Sequence, residues 1–192
     1  PARPAAMAPV ATRDPLVVFV GSIFNRRRVP DLIAAFDRVA RARAGARLVL
    51  AGANRTWPHQ DIAGLIARAE HGSRISWLDR PSNDEIAALL SRASVSAFLS
   101  EYEGFALTPL EGLAHGVAPV LLDTPVAREV YRDAAVLVPA GAIAVTAAAI
   151  LRLLDSPGER AALLARAQPL WTRFDAARAA RDTLDVIRSA AR

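Results

Sequence analysis

Two loops of the sequence hold side chains that could do chemistry together. One runs Gly21-Ser22-Ile23-Phe24-Asn25-Arg26-Arg27-Arg28. Its three consecutive arginines stand just ahead of a helical pattern, where planar guanidinium groups can grip phosphate oxygens in bidentate fashion. A solvated charge run is the alternative reading of the same residues. The loop carries neither GxGxxG nor GxxxxGK[ST], so it is neither a dinucleotide fingerprint nor a P-loop. The other loop, residues 100–114, contains Glu103 and Glu111 with seven residues between them. Gly104 allows a ligand close to the backbone. Thr108 reads as a helix N-cap, with Pro109 at the first helical position and Glu111 as the capping-box carboxylate. Glu111 thus has a structural reading that Glu103 lacks. Two carboxylates beside a helix N-terminus suit a ligand that brings hydroxyls as well as negative charge, because carboxylates accept from hydroxyls while the helix end attracts the anion. A phosphate flanked by sugars meets both demands.

These loops need elements to position them. Residues 16–21 are a short, unalternating apolar run closed by Gly, the pattern of a strand buried on both faces. Runs at 48–52, 74–78, 94–99 and 120–122 repeat it, and 136–138 is a candidate sixth. Helical spacing is predicted over 30–44, with Leu32, Ile33, Phe36, Val39 and Ala40 on one face, and over 61–70. A third helix follows Ser82, whose capping box is completed by Glu85, and a fourth includes 110–115 and stops at Gly116. Strands alternating with helices predict a doubly wound, Rossmann-like α/β domain: a parallel sheet of five to six strands with helices on both faces. Beyond residue 140 the pattern is only helical, over 144–155, 158–168 and about 174–190, a C-terminal tail that packs on the sheet or reaches toward another domain. The Pro/Ala-rich residues 1–15 read as a linker and 16–192 as the domain. Open parallel sheets bind ligands at the carboxyl ends of their strands, where both loops lie.

Composition narrows the choice of function. The 192 residues carry 24 basic against 19 acidic side chains, a formal +5, and all the basic ones are Arg. They are scattered along the chain and aromatics make up only 6%, which argues against a nucleic-acid stripe. A hydrophobic content of 53% excludes disorder as the main state. Without Cys there are no disulfides, thiolate nucleophiles or Cys-ligated zinc sites, and His59, His71 and His115 are too far apart to pair on one face. No metal is expected. His115 reads as a capping or packing residue, and Trp57, Trp77 and Trp171 as packing groups. No apolar run is long enough to span a bilayer, so a cytoplasmic chain is expected.

Residues 103–105 through Glu111, followed by Gly116 and Pro119-Val120, resemble the E-x7-E signature of the family-4 retaining glycosyltransferases. Further landmarks fall in order: the Arg-rich first loop, Leu50-Ala51-Gly52, Asp84-Glu85-Ile86, and Glu129 followed by Asp133. The resemblance implies the C-terminal, nucleotide-sugar-binding domain of a two-domain GT-B enzyme. It implies that the donor is a nucleotide-diphosphate sugar such as a GDP- or UDP-hexose, with no cofactor and no metal. By matched position Glu103 would lie near the hexose and Glu111 on the ribose hydroxyls. Backbone amides of Gly104, Phe105, Ala106 and Leu107, with Thr108 and the helix dipole, would hold the diphosphate, beside Gly21 and Ser22. Arg27, with Arg26 as neighbour, stands where the family has a Lys, Ser22 where it has an Arg, and Ala106 where it often has Gly. Main-chain groups around Leu78 would meet the base. The acceptor, a sugar, lipid or polysaccharide, would bind with an N-terminal domain, with peripheral contact at the inner face of a membrane as one setting. A nucleotide-sugar-binding module without activity and a nucleotide-sugar epimerase are the rival readings. A GT-B phosphorylase would need a cofactor lysine, which the sequence lacks.

Overall fold

The structure, a computed structural model, describes residues 13–191. Six parallel strands form one sheet in the order β3-β2-β1-β4-β5-β6. The strands are β1 (Leu16–Val20), β2 (Arg47–Ala51), β3 (Ile75–Leu78), β4 (Val95–Phe98), β5 (Ala118–Leu122) and β6 (Val136–Val138). Nine helices connect and follow them among the described residues: α1 (Val29–Ala42), α2 (Ile62–Arg68), α3 (Asn83–Arg92), α4 (Leu107–Ala114), α5 (Pro125–Tyr131), α6 (Ile143–Asp155), α7 (Pro157–Arg166), α8 (Gln168–Arg173) and α9 (Ala176–Ala190).

The strands read as continuous apolar runs because both sheet faces are covered. In β1 all five residues are buried. Val17 and Phe19 join the larger apolar cluster with Phe36 of α1 and Ile150 and Leu153 of α6, while Leu16, Val18 and Val20 face Leu90 of α3. Phe19 stacks on Phe98 of β4 at 5.8 Å between ring centroids, fixing the two central strands to each other. Residues 82 and 85 form the expected capping box at α3, with both reciprocal bonds present.

Several boundaries differ from expectation. β5 begins at Ala118, ahead of the predicted 120, with Pro119 inside it. β6 pairs with β5 only from Val120 onward, so the missing Pro119 N–H has no ladder partner to disappoint on that side. α5 was not expected; it starts at a Thr124 cap whose hydroxyl accepts from the Ala127 N–H at 3.2 Å, with Pro in its first turn. α8 is a further helix in the tail, with Pro169 in its first turn. The tail does pack on the sheet through α6 and α7, but α9 keeps Leu184, Val186 and Ile187 exposed.

Of the stretch read as a linker, residues 1–12 lie outside the described residues, and the last three belong to the domain. Arg13 is buried, the Asp14 N–H donates to the Arg92 carbonyl at 3.0 Å, and the Pro15 carbonyl accepts from the Arg47 N–H at 3.1 Å. An arginine followed by an aspartate reads as solvated from sequence; here the guanidinium finds carbonyl acceptors at two helix ends. Trp77 is half-buried and donates from Nε1 to the Gly52 carbonyl at 2.9 Å. Trp57 is no packing group, being 87% exposed on the loop after β2. The Trp171 side chain lies outside the described residues.

Candidate functional site

In the order 3-2-1-4-5-6 the winding reverses between β1 and β4, and the loops that leave their carboxyl ends open a crevice there. That reversal brings the two chemically loaded loops face to face. Gly21 leaves β1 at φ +123°, and Gly52 leaves β2 at φ +152°, values that side-chain-bearing residues rarely adopt. A Cβ on Gly52 would stand 2.1 Å from the Gly21 carbonyl oxygen, so the two glycines let the crevice floor close. The first loop then forms a short 3-10 turn over Asn25–Arg27, and Arg28 turns left-handed to start α1.

Each of the three arginines is engaged by the loop after β4. The Arg26 carbonyl accepts from the Glu101 N–H at 2.9 Å, and Arg26 Nε donates to the Tyr102 carbonyl at 3.0 Å. Arg27 Nε donates to Glu103 Oε1 at 2.9 Å, its Nη1 donates to the Ser22 carbonyl at 2.8 Å, and its guanidinium lies 4.8 Å from the Phe98 ring centre. Arg28 pairs with Glu101 and with Asp31 at 2.5 Å each, and the hydrogen bond to Glu101, then that to Asp31, holds its pKa above the usual arginine value. Ser100 Oγ donates to the same Glu103 oxygen at 2.9 Å, and Arg26 Nη2 stands 3.7 Å from it. The solvated-run alternative is therefore overturned: these are paired arginines in a crevice. The Arg27 and Glu103 side chains are only 12% and 16% exposed, so solvent screens their pairing far less than it screens a surface ion pair.

The start of α4 corrects the capping expectation. The helix runs Leu107–Ala114, its N-cap is Ala106 in the left-handed region at φ 64° and ψ 64°, and no side chain caps it. Thr108 is therefore the second helical residue and Pro109 the third, and Glu111 lies too far into the helix to reach back. The physical reason is the left-handed Ala106, which turns the chain into the helix earlier than the Thr-Pro pair signals. Two consequences follow. The first-turn N–H groups are left without a side-chain acceptor at the crevice, and Glu111 is relieved of a structural task. Thr108 Oγ1 is 3.8 Å from where a Cβ on Gly21 would stand, so this helix end abuts the crevice floor.

Arg26, Arg27, Glu103, Gly21, Ser22 and Thr108 thus come together. Glu111 and the exposed Leu107 instead line a groove of about 680 Å³ with Phe105, Arg173 and Phe174. Phe105 meets Phe174 edge to face at 4.7 Å, tying the loop to the helical tail. Gly104 is exposed, and a Cβ on it would meet nothing within 4 Å. Leu78 lies two strands away from β1 at the same sheet edge, its carbonyl accepting from the Gly52 N–H at 2.9 Å. Among the described residues no three His, Asp or Glu side chains gather as a metal set, and no helix is long and apolar enough to cross a membrane.

Sequence reasoning missed Tyr131. Its hydroxyl, fully buried, donates to the Ala106 carbonyl. The Thr124-Pro125 start signal would have revealed α5, but nothing in the sequence ties residue 131 to residue 106. Arg173 was likewise missed: it lines the groove with Glu111 while its guanidinium engages Glu129, and that place depends on how the tail folds back.

Residues 6–169 match the family model described as glycosyl transferases group 1. Among curated relatives, glycogen synthase of Mycobacterium tuberculosis is 32% identical over 181 residues, covering 89% of this chain and 43% of that protein. The GDP-mannose:cellobiosyl-diphosphopolyprenol alpha-mannosyltransferase of Xanthomonas oryzae is 29% identical over 79 residues, 41% of this chain and 21% of that protein. The chain spans less than half the length of the curated relatives it matches. Among solved structures, α,α-trehalose 6-phosphate synthase from Burkholderia multivorans superposes with a TM-score of 0.81 at 20% identity, over 95% of this chain and 44% of that one. The pneumococcal O-GlcNAc transferase GtfA, solved with UDP and GlcNAc, gives 0.74 at 15% identity, over 94% of this chain and 38% of that one. At these identities the structural likeness is one of fold. With the family model matching most of its length and the six-stranded Rossmann-like sheet in place, the chain belongs to the group 1 glycosyl transferases and has the α/β architecture of their GT-B fold.

Proposed function

We propose that this chain is the donor-binding domain of a retaining glycosyltransferase, which moves a hexose from a nucleotide-diphosphate sugar to an acceptor without a metal. The observation that carries the reading is the meeting of Arg26, Arg27 and Glu103 with the uncapped first turn of α4 at the sheet's reversal point. In the transfer, the bond between the anomeric carbon and the diphosphate oxygen breaks and its electron pair leaves with the diphosphate. The acceptor oxygen bonds the same carbon from the same face and gives its proton to the departing diphosphate oxygen. The burden is the negative charge that grows on the departing diphosphate, and positioned cations with oriented amides can carry it.

Arg27 and Arg26 are the cations in this reading, and the amides of residues 104–108 supply the oriented dipoles. Glu103 meets hexose hydroxyls, and Glu111, which caps nothing, accepts from the ribose. Gly21 and Ser22 form the floor under the phosphates, and the end of β3 at Leu78 faces the base. The relatives' names support a hexose donor: one is a mannosyltransferase that uses GDP-mannose, and GtfA was solved with UDP. The acceptor, a sugar, lipid or polysaccharide, binds with parts of the enzyme outside this chain, on the cytoplasmic side and in contact with a membrane where the acceptor is a lipid.

Calorimetric titration with UDP, GDP and ADP and their hexose conjugates, in the presence of EDTA, tests this. One nucleoside diphosphate is expected to bind at a single site. Failure of all of them to bind would overturn the donor-site reading, and binding that requires an added divalent ion would overturn metal independence.

A further inference from the structure

Tyr131 closes α5 with a fully buried ring, and its hydroxyl donates to the carbonyl of Ala106. Ala106 is the residue that turns the loop after β4 into α4, and it does so with a left-handed backbone that alanine tolerates poorly and glycine adopts freely. No side-chain cap stabilises that helix start. The support arrives from another element. Past Tyr131 the chain passes into a 3-10 turn through Arg132 with φ 50° and ψ −120°, again a backbone that favours glycine. Burial above all pushes the hydroxyl pKa well up; a hydrogen bond from the Leu110 N–H works against it, Glu111 and Glu103 add to it, and the group stays a proton donor.

The geometry points to Tyr131 as a positioning residue for the donor site. Its hydroxyl holds Ala106 in the left-handed conformation and so aims the amides of residues 104–108 at the diphosphate. The inference rests on the donor-site reading above. A purely structural tyrosine would stabilise the domain evenly; this hydroxyl engages the main chain at one place, the start of α4, through the Ala106 carbonyl and the Leu110 N–H.

Tyr131→Phe in the 192-residue chain removes the hydroxyl and keeps the ring. Without ligand, NMR-detected hydrogen exchange is expected to quicken about tenfold at Glu111 and Gly112, the first amides of the α4 ladder, with β1 and β4 unchanged. With ligand, loss of one hydrogen bond's worth of positioning weakens UDP or GDP about three- to tenfold and leaves uridine or guanosine within about twofold. In an Ala106→Gly background, where the backbone needs no support, the effect of Tyr131→Phe is expected to shrink below about twofold. Unchanged exchange at Glu111 and Gly112 would overturn the inference, as would equal losses for the diphosphates and the nucleosides. If the unmodified chain bound no nucleotide, the donor-site reading would fall, and the exchange data alone would decide whether Tyr131 holds Ala106.

Discussion

Arg27 is gripped from three sides, by the Glu103 carboxylate, the Ser22 carbonyl and the face of Phe98. Its position is fixed before any ligand arrives, which is what a charge-stabilising group requires. The role expected of Ser22 falls partly to its main chain, because the carbonyl that holds Arg27 would be there whatever the side chain. Arginine suits this place better than lysine because its fork reaches the carbonyl and the carboxylate together. Arg27→Lys keeps the charge and loses one of these bonds. Titration is expected to show nucleoside-diphosphate affinity falling about tenfold, as loss of one charge-assisted hydrogen bond implies. The melting temperature should fall by less than about 5 °C, since roughly 1 kcal/mol shifts a chain of this size by only a few degrees. Residue types and spacing were enough to nominate Arg26, Arg27, Glu103 and Glu111. They misread Glu111 as a cap, because Thr, Pro and Glu at the right intervals make a capping signal whether or not the chain enters the helix there.

Elements succeed or fail as positioning devices at their ends. β1 and β2 end in Gly21 and Gly52, and the second cannot carry a side chain: its Cβ would stand 2.1 Å from a backbone oxygen, at φ +152°. Gly52→Ala is expected to cost at least about 2–3 kcal/mol, a strained-backbone effect among the larger ones known for single substitutions. Thermal unfolding should register that as a fall of about 5–10 °C, and a melting curve like that of the unmodified chain would show that the two loop backbones are not in contact. The strands were legible because a sheet covered on both faces demands unbroken apolar runs. α5 is legible only at its Thr124-Pro125 start, since seven residues carry little periodicity, yet it delivers Tyr131 to α4. The start of α4 depends on a left-handed alanine, and no local rule places alanine there.

Across the whole molecule the two ends of the sheet differ in kind. The carboxyl end holds the paired loops, while the amino end is fastened by Arg13, whose Nη1 donates to the Leu90 and Ala93 carbonyls at 2.9 and 2.7 Å and whose Nη2 donates to the His115 carbonyl. These carbonyls close α3 and α4, where a cation also complements the helix dipoles. Burial lowers the Arg13 pKa, yet the group stays charged because an arginine titrates far above neutral pH. Arg13→Ala strands the three carbonyls, so an expected loss of about 2–3 kcal/mol should appear in denaturant unfolding, with nucleotide affinity unchanged because the crevice lies at the opposite end. A drop in affinity with full stability would reverse that division of labour. Of the arginines behind the net +5, then, not all are solubilising: Arg13 and Arg160 are buried, and Arg160 donates to the Leu153 carbonyl at 2.6 Å.

By itself the sequence determined the alternation of strands and helices, the parallel sheet, and the two loops in which charge and carboxylates collect. Hydrophobic periodicity and glycine punctuation are local, and they survive without knowledge of the partner segments. Tertiary structure alone decided that Arg27 faces Glu103 across 76 positions of chain, that Ala106 is held by Tyr131, and that Arg13 lies inside the domain. Each of those contacts joins residues whose nearness comes from the order of strands in the sheet, and a guanidinium or hydroxyl carries no mark in the sequence of which carbonyl or carboxylate it will meet.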